Sequence, residues 1–337
     1  MAQSGISSAG VGFVEESAWG TALLTSPGWL DARGGMESVN QTVEQIIAQD
    51  IGQFGTISED VVKGYTSVAG SLDFDLRYGG KWLMFLGHLV GRTSANAGSS
   101  PYTHTVLLGS DPITAQVAKG ITLIIGRDGQ GGGTYDWIYA GCRPTSMTFN
   151  FPENGIATAS VTLIGESEDS FVSEATPSYS TDAYIKAPSD ATSPTSFLSY
   201  NGYDYVCKSG SVTINVPWEL RRDLQATLGL VPVLSGQLDI TASFEVEMPN
   251  TTGSGNVWDA AYAAQTRNAV VMTMEGATPA NEKLAITLDN ALITTPPTPH
   301  VSGPELQTMS IEVKAFGLAD GTDEGSVVLT NTTATGW

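Results

Sequence analysis

The chain has 337 residues, of which 41% are hydrophobic and only 15% charged, and its 38 glycines favour short strands joined by turns over long charged helices. Lys and Arg number 15 against 35 Asp and Glu, which gives a formal net charge of -20 at pH 7. This charge repels nucleic acid and argues against a protein that grips DNA through its phosphates, while the length fits two domains of ordinary size.

The cellular compartment is predicted from hydropathy and cysteine usage. No window approaches the roughly 18 apolar residues of a membrane span, and the first thirty residues lack a signal-peptide pattern. We therefore expect synthesis in the cytoplasm and no membrane association. Cys142 and Cys207 are the only cysteines. They are expected to be free thiols, with a bridge between them as the alternative.

The N-terminal segment is predicted to be an arm followed by a long connection. Residues 1–28 are small and polar, with Phe13 and Trp19 as the only large anchors, which is typical of an arm that becomes ordered on a neighbour. A possible strand covers 28–43. Residues 44–65 then show no clean period, and connections this long are usually functional or disordered. Their apolar residues indicate docking onto a partner: Ile46, Ile47, Ile51, Phe54 and Ile57.

The next segment alternates strictly between apolar and polar residues. Leu72 and Phe74 point one way, and Asp73 and Asp75 point the other, which predicts a strand over 68–78 with one core face and one wet face. Trp82 and its neighbours predict a short helix. Further strands are predicted at 120–126, 134–140, 143–151 and 156–164.

The second half is predicted to repeat this order after a linker. Residues 166–196 are rich in Ser, Thr and Pro, without periodicity. Beyond them we expect strands at 210–216, 234–247, 269–275, 283–289 and 305–316, and a short helix at Trp258. The loop 217–232 is the counterpart of the earlier connection. It interleaves apolar and basic residues that suit an anchor with a polar rim: Trp218, Leu220, Arg221, Arg222, Leu224 and Leu228.

A short sequence match supports an internal duplication. Val68-Ala69-Gly70-Ser71-Leu72-Asp73-Phe74 is answered 166 residues later by Leu234-Ser235-Gly236-Gln237-Leu238-Asp239-Ile240. The expected fold is therefore mainly β, with two tandem antiparallel sandwich or barrel units that each carry a short flanking helix. The predicted division is an arm at 1–28, a first unit at 29–166, a linker at 167–200 and a second unit at 201–337.

No catalytic or metal-binding set is visible in the sequence. His88, His104 and His300 have no metal-ligand spacing and adjoin no nucleophile motif. The glycine-rich run 126–133 joins two predicted strands, so a hairpin turn is favoured over a phosphate site. The acidic residues of 320–325 lack the ligand ladder of a calcium loop. We predict no enzyme activity, no metal and no cofactor.

Closely spaced carboxylates occupy the wet faces of two predicted strands. The residues concerned are Asp73, Asp75, Asp239, Glu245 and Glu247. One interpretation is a plain solvated face. The other is an acidic wall that faces a confined aqueous channel.

Three segments resemble the tail tube, or major tail, proteins of bacteriophages with long flexible tails. They are Gly12-Phe13-Val14-Glu15-Glu16-Ser17-Ala18-Trp19-Gly20-Thr21, the motif at 68–74 with its downstream aromatic helix, and Tyr139-Ala140-Gly141-Cys142-Arg143-Pro144-Thr145-Ser146-Met147-Thr148-Phe149. None of them is an active-site signature. The similarity covers most of the first half, and the second half only through the duplication.

The resemblance implies two packed sheets and assembly into stacked rings that form a conduit for the genome. Single-unit members build rings of six copies, so a two-unit chain would build trimeric rings with pseudo-sixfold symmetry. The acidic residues would line the lumen, and the two long loops would stack the rings. The implied partners are copies of itself, a tape-measure protein inside the tube, tail terminator and distal tail proteins, and double-stranded DNA in transit without specific binding. The virion tail is the implied location.

A rival interpretation is a carbohydrate-binding or decoration β-sandwich on the virion surface. Such a protein would cluster exposed aromatic residues on one face. The seven tryptophans instead lie in different predicted elements, which favours the tube interpretation.

Overall fold

The computed structural model describes residues 10–25, 27–30, 32–47, 61–91, 95–97, 100–109, 118–128, 134–172, 181–187, 197–221, 231–247, 257–297, 299–300, 307–317 and 323–333. Strands account for most of these residues, and the pairings between them are antiparallel. The predicted mainly β class is confirmed.

The first half contributes a helix and a series of strands. In chain order they are β1 (Val11–Glu15), β2 (Gly28–Leu30), β3 (Ala32–Glu37), β4 (Asn40–Ile47), β5 (Val61–Asp75), α1 (Leu83–Val90), β6 (Ala95–Ala97), β7 (Tyr102–Leu108), β8 (Ile121–Asp128), β9 (Thr134–Phe151), β10 (Gly155–Ile156), β11 (Thr158–Gly165) and β12 (Ser167–Val172).

The second half contributes another helix and a similar number of strands. They are β13 (Lys186–Ala187), β14 (Leu198–Tyr200), β15 (Tyr203–Tyr205), β16 (Cys207–Asn215), β17 (Trp218–Arg221), β18 (Val231–Leu234), β19 (Asp239–Glu247), α2 (Val257–Ala264), β20 (Asn268–Glu275), β21 (Lys283–Ile293), β22 (Pro299–His300), β23 (Thr308–Ala315) and β24 (Gly325–Asn331).

Strand formation follows the alternation seen in the sequence. In β19, Ile240, Phe244 and Val246 are buried, whereas Thr241 and Glu245 are exposed. Successive side chains of a strand point to opposite faces, so such a strand has one apolar and one polar face. The apolar faces bury against the core, which fixes the register of the pairings.

One long sheet crosses from the first half of the chain to the second. It consists of β4, β5, β11, the C-terminal half of β9, β16, β19 and β23, in that order. Asp75 lies opposite Thr158, Thr158 opposite Asn150, Asn150 opposite Ser211, and Ser211 opposite Ser243. The junction between the halves is therefore an ordinary strand pairing, between β9 and β16.

Most of the remaining strands form two outer groups, while β10 with β13 and β17 with β18 form separate two-stranded sheets. In the first half, β2, β1, β8, the N-terminal half of β9 and β12 are neighbours in that order. In the second half the order is β15, β14, β20, β21, β24, β7 and β6. Because β6 and β7 come from the first half, the hairpin that they form ties the two halves together a second time.

The helices pack inside the core beside aromatic residues from the sheets. The Phe85 ring of α1 lies 5.0 Å from Phe13 of β1 and 6.1 Å from Phe74 of β5. In the second half, Trp258 of α2 stacks on Tyr200 of β14 at 4.0 Å. The buried residues form one contiguous cluster that runs through both halves.

The N-terminal segment differs from the predicted arm. Residues 11–15 form β1, which pairs with both β2 and β8. Val11 and Phe13 are buried. The apolar run from Val11 to Val14 supplies a strand with two buried faces, so these residues belong to the core of their own chain and need no neighbour to become ordered.

The predicted linker also differs, because both of its ends lie in sheets. Strand β12 pairs with β9, and β14 pairs with β20. In between, Ile185 is fully buried, donates its N–H to the Leu76 carbonyl and accepts from the Ala157 N–H.

The two copies of the duplicated motif lie in different structural settings. Val68 to Phe74 lies in the C-terminal half of β5. Leu234 instead ends β18, and Gly236 and Leu238 lie in the turn that leads to β19. A match at a spacing of 166 residues therefore does not superimpose equivalent strands.

Candidate tube wall and assembly surfaces

The side of the long sheet that faces away from the core is almost entirely polar. We call it the polar face. Two rows cross it from β5 to β23, and none of their side chains is buried. The first row is Asp73, Ser160, Thr148, Thr213, Thr241 and Lys314, and the second is Asp75, Thr158, Asn150, Ser211, Ser243 and Glu312.

The structure brings the five predicted acidic residues onto this one face. Asp73 and Asp75 lie on β5 at one side, and Asp239, Glu245 and Glu247 lie on β19 at the other. The Asp239 carboxylate forms an ion pair with Lys314 Nζ at 2.6 Å, so its charge is partly compensated.

Sequence reasoning missed one acidic residue of the polar face. Glu312 on β23 is exposed and lies opposite Ser243 of β19. The alternation of Thr308, Ser310 and Glu312 with buried apolar residues is the sequence pattern that predicts its exposure. Pairing of β23 with β19 was needed to place it beside the other carboxylates.

The polar face holds hydroxyl groups in contact and a concave groove. Thr148 Oγ1 lies 3.1 Å from Thr213 Oγ1 across the junction of β9 and β16. A groove of about 700 Å³ lies nearby and is lined by Asn150, Ser243 and Glu245, among others. These groups offer hydrogen bonds and negative charge, and the described residues contain no cluster of three or more His, Cys, Asp or Glu that could hold a metal.

Trp218 is not the exposed anchor that the sequence predicts. Its side chain is 4% exposed, and its Nε1 donates to the Leu89 carbonyl at 2.7 Å. The Arg143 guanidinium lies 4.1 Å above its ring and also donates through Nε to the His88 carbonyl at 3.2 Å. Burial lowers the pKa of Arg143 to about 10, so it remains charged at neutral pH. A cation at the C-terminal end of α1 complements the helix dipole.

The other predicted stacking residues fall into two sets. Leu220 is half-buried and Arg221 exposed on the hairpin of β17 and β18, while Ile46 and Ile47 lie in β4. The rest lie outside the described residues: Ile51, Phe54, Ile57, Arg222, Leu224 and Leu228. Their role in ring stacking stays a prediction.

Two of the family-like segments meet at a buried carboxylate. Glu16 is 1% exposed and accepts hydrogen bonds from Gly20 N at 2.9 Å, Gly141 N at 2.8 Å and Thr122 Oγ1 at 2.9 Å. Burial raises the pKa of Glu16, and the charge of nearby Glu166 adds to the effect. This carboxylate ties the loop after β1 to β8 and β9, which is a structural role.

The histidines and cysteines also have structural surroundings. His88 is fully buried in α1 with Nε2 at 3.3 Å from Glu15, and His104 Nε2 lies 2.9 Å from Asn331 Oδ1. Cys142 and Cys207 are free, so the alternative of a bridge between them is wrong. Burial raises the pKa of both thiols, which keeps them protonated at neutral pH.

Four tryptophans are buried: Trp29, Trp82, Trp218 and Trp258. They cannot contribute to an exposed aromatic surface of the kind that sugar-binding sandwiches use. Within the described part of the chain, no helix is long and apolar enough to cross a membrane.

Comparison with known proteins identifies one family. A family model described as phage tail tube protein matches residues 6–315. No curated protein matches the chain.

Proposed function

We propose that this chain, which belongs to the phage tail tube protein family, forms rings of three copies that stack into a tube with an acidic lumen for DNA. Membership of the family makes the chain a structural component of the virion tail that assembles with copies of itself. The family match over residues 6–315 carries this proposal. The fold adds support in three steps: a repeated pairing order, a matched register and a polar face.

The order of strand pairings supports a tandem duplication. In the first half the pairings are β4 with β5, β5 with β11, β11 with β9, β9 with β8 and β12, β8 with β1, and β1 with β2. In the second half the pairings are β16 with β19, β19 with β23, β23 with β21, β21 with β20 and β24, β20 with β14, and β14 with β15. Each half also places an eight-residue helix after the second of its long-sheet strands.

The register supports a repeat in which β5 and β19 are related by a spacing of 172 residues. Asp75 lies opposite Thr158, and Glu247 lies opposite Thr308 at the same place in the second half. Ser71-Leu72-Asp73-Phe74-Asp75 then corresponds to Ser243-Phe244-Glu245-Val246-Glu247. Two acidic pairs predicted from the sequence thus occupy equivalent positions.

The two ends of the long sheet support ring closure. Strand β4 at one end pairs only with β5 among the described long-sheet strands, while the other end is formed by β23 with β21 and β22. Joining these ends between three copies would place six repeats in a ring. At about four inner strands per repeat, the wall would have about two dozen strands, and 16 to 18 strands already leave an aqueous channel in porins.

The polar face suits a surface along which DNA slides. Carboxylates repel phosphates, whereas a basic wall would retain the duplex through counterion release. We propose that Asp73, Asp75, Glu245 and Glu247 line the lumen, with Asp239 and Glu312 at its margin. A tape-measure protein would occupy the lumen during assembly in the host cytoplasm, with terminator and distal tail proteins at the two ends.

Charge reversal tests the proposed lumen. The variant carries Asp73→Lys, Asp75→Lys, Glu245→Lys and Glu247→Lys, and we expect tubes to form while infectivity falls about tenfold or more, because lysines bind the phosphates of passing DNA. The matched control reverses four exposed carboxylates outside the polar face: Glu153, Asp204, Glu219 and Asp289. Equal infectivity of the two variants would contradict the lumen assignment.

A further inference from the structure

The two helices end in similar ways but are covered very differently. Helix α1 ends at Gly91 with φ 68°, and α2 ends before Gln265 with φ 53°. All eight residues of α1 are buried. In α2 only Trp258 and Ala261 are buried, and the alanines of its last turn, Ala263 and Ala264, are exposed.

The cover on α1 comes from the second half of the same chain. Val216 donates its N–H to the Thr145 carbonyl at 2.9 Å, and Trp218 donates to the Leu89 carbonyl at the end of α1. Val216 is 5% exposed and Trp218 is 4% exposed. The segment that leaves β16 therefore closes over the C-terminal end of α1.

Among the described residues, the counterpart of this covering segment in the first half is exposed. Thr42 lies opposite Ser67 as Asn215 lies opposite Asp239, so the strand register makes Val43 the counterpart of Val216. Val43 is nevertheless 40% exposed. Val39, just before β4, and its counterpart Val212 on β16 are both fully buried, so the difference is confined to the outer end.

We propose that β4 of a second copy of this chain covers the C-terminal end of α2. Residues 43–45 of one copy lie against Ala263, Ala264 and the end of β21 of its neighbour. The contact repeats between copies the junction that Val216 and Trp218 make inside one chain. This inference rests on the proposed duplication and ring, and it names the surfaces that join one copy to the next.

The two junctions differ in the side chains that they bring together. Inside the chain, Trp218 stacks under a fully buried Arg143. At the junction between copies, Gln45 takes the place of Trp218, because each lies two residues beyond the matched Val43 and Val216. Leu292 takes the place of Arg143, because Leu292 pairs with Lys314 as Arg143 pairs with Ile164. The junction between copies thus lacks a cation over an aromatic ring, and its small alanine face allows close approach. It is suited to forming during assembly rather than during folding.

A cross-linking experiment tests the contact directly. Gln45 and Ala263, the counterparts of Trp218 and Leu89, are both exposed and tolerate substitution. The double variant Gln45→Cys, Ala263→Cys is made in a Cys207→Ser background, assembled, and treated with diamide, which takes up the two electrons and two protons released when the thiols form a disulfide. We expect a covalent species of three chains on a non-reducing gel. The control pair Gln45→Cys, Ala277→Cys, with its second cysteine beyond the far end of β20, should give none.

A second variant keeps the test independent of cross-linking geometry. Val43→Asp should fold with unchanged thermal stability, because the side chain is exposed in the single chain, but should not form tubes. Leu107→Asp is the matched control, since Leu107 is 42% exposed and lies on β7. Normal tubes from Val43→Asp, or tubes of the cysteine variant without linked trimers, would overturn this inference but not the proposed function. Failure of the native chain to form rings would overturn the proposed function as well.

Discussion

At the scale of single residues, two of the three family-like segments are held together by one buried carboxylate. Glu16 accepts three hydrogen bonds from groups on the loop after β1, on β8 and on β9. Gly141 adopts φ 63°, and a Cβ there would meet Glu166 at 2.9 Å. The residues that make the chain resemble tail tube proteins therefore fix its N-terminal strand in place.

Replacement of this carboxylate should destabilise the fold in a pH-dependent way. Glu16→Gln puts an amide among three donors, and we expect a loss of about 1–3 kcal/mol in the free energy of unfolding at pH 7. Because burial raises the folded-state pKa of Glu16 above its unfolded value, the folded native chain takes up a proton first as the pH falls. The stability gap between native chain and variant should therefore widen from pH 7 toward 4.5, as measured by urea unfolding.

The control for this measurement is Glu153→Gln, which alters an exposed carboxylate in a turn. Its stability relative to the native chain should not change over the same pH interval. A gap for Glu16→Gln that narrows with falling pH would show that hydrogen bonding, and not desolvation, dominates at this site.

At the scale of elements, the alternation of residues predicted strands well but not their partners. The faces of β5 and β19 follow directly from Leu72, Phe74 and Phe244. The arm and the linker were misjudged because their short paired stretches, such as β1 and the residues around Ile185, have no long period. Trp218 was misjudged for a related reason, since only pairing of β16 with β9 brings it to Leu89 and Arg143.

The Trp218 junction should matter for folding rather than for ring stacking. We expect Trp218→Phe to cost about 1–2 kcal/mol, because the Leu89 carbonyl loses its donor, and Trp218→Ala about 3–5 kcal/mol, because a buried ring is removed. Urea unfolding of both variants measures these losses. The exposed Val206→Ala serves as the control. A Trp218→Ala chain of native stability that no longer polymerises would restore the anchor interpretation.

At the scale of the whole molecule, the proposed duplication is supported by strand pairing rather than by sequence identity. The sequence match joined Leu72 to Leu238, whereas the register joins Leu72 to Phe244. In the proposed repeat, Leu72 and Phe244 are both buried apolar residues, and Asp73 and Glu245 are both acidic residues of the polar face, so the chemical type is kept although the residues differ. A search for identical residues instead aligns Leu72-Asp73 with Leu238-Asp239. That alignment is six residues away from the one that the strand register gives.

The central claim is that two repeats in one chain replace two subunits in the ring. The most direct measurement is the mass of a single ring of the purified protein, combined with averaged end-on electron micrographs. The account predicts hollow rings with apparent sixfold symmetry and the mass of three chains. Rings with the mass of six chains would contradict it.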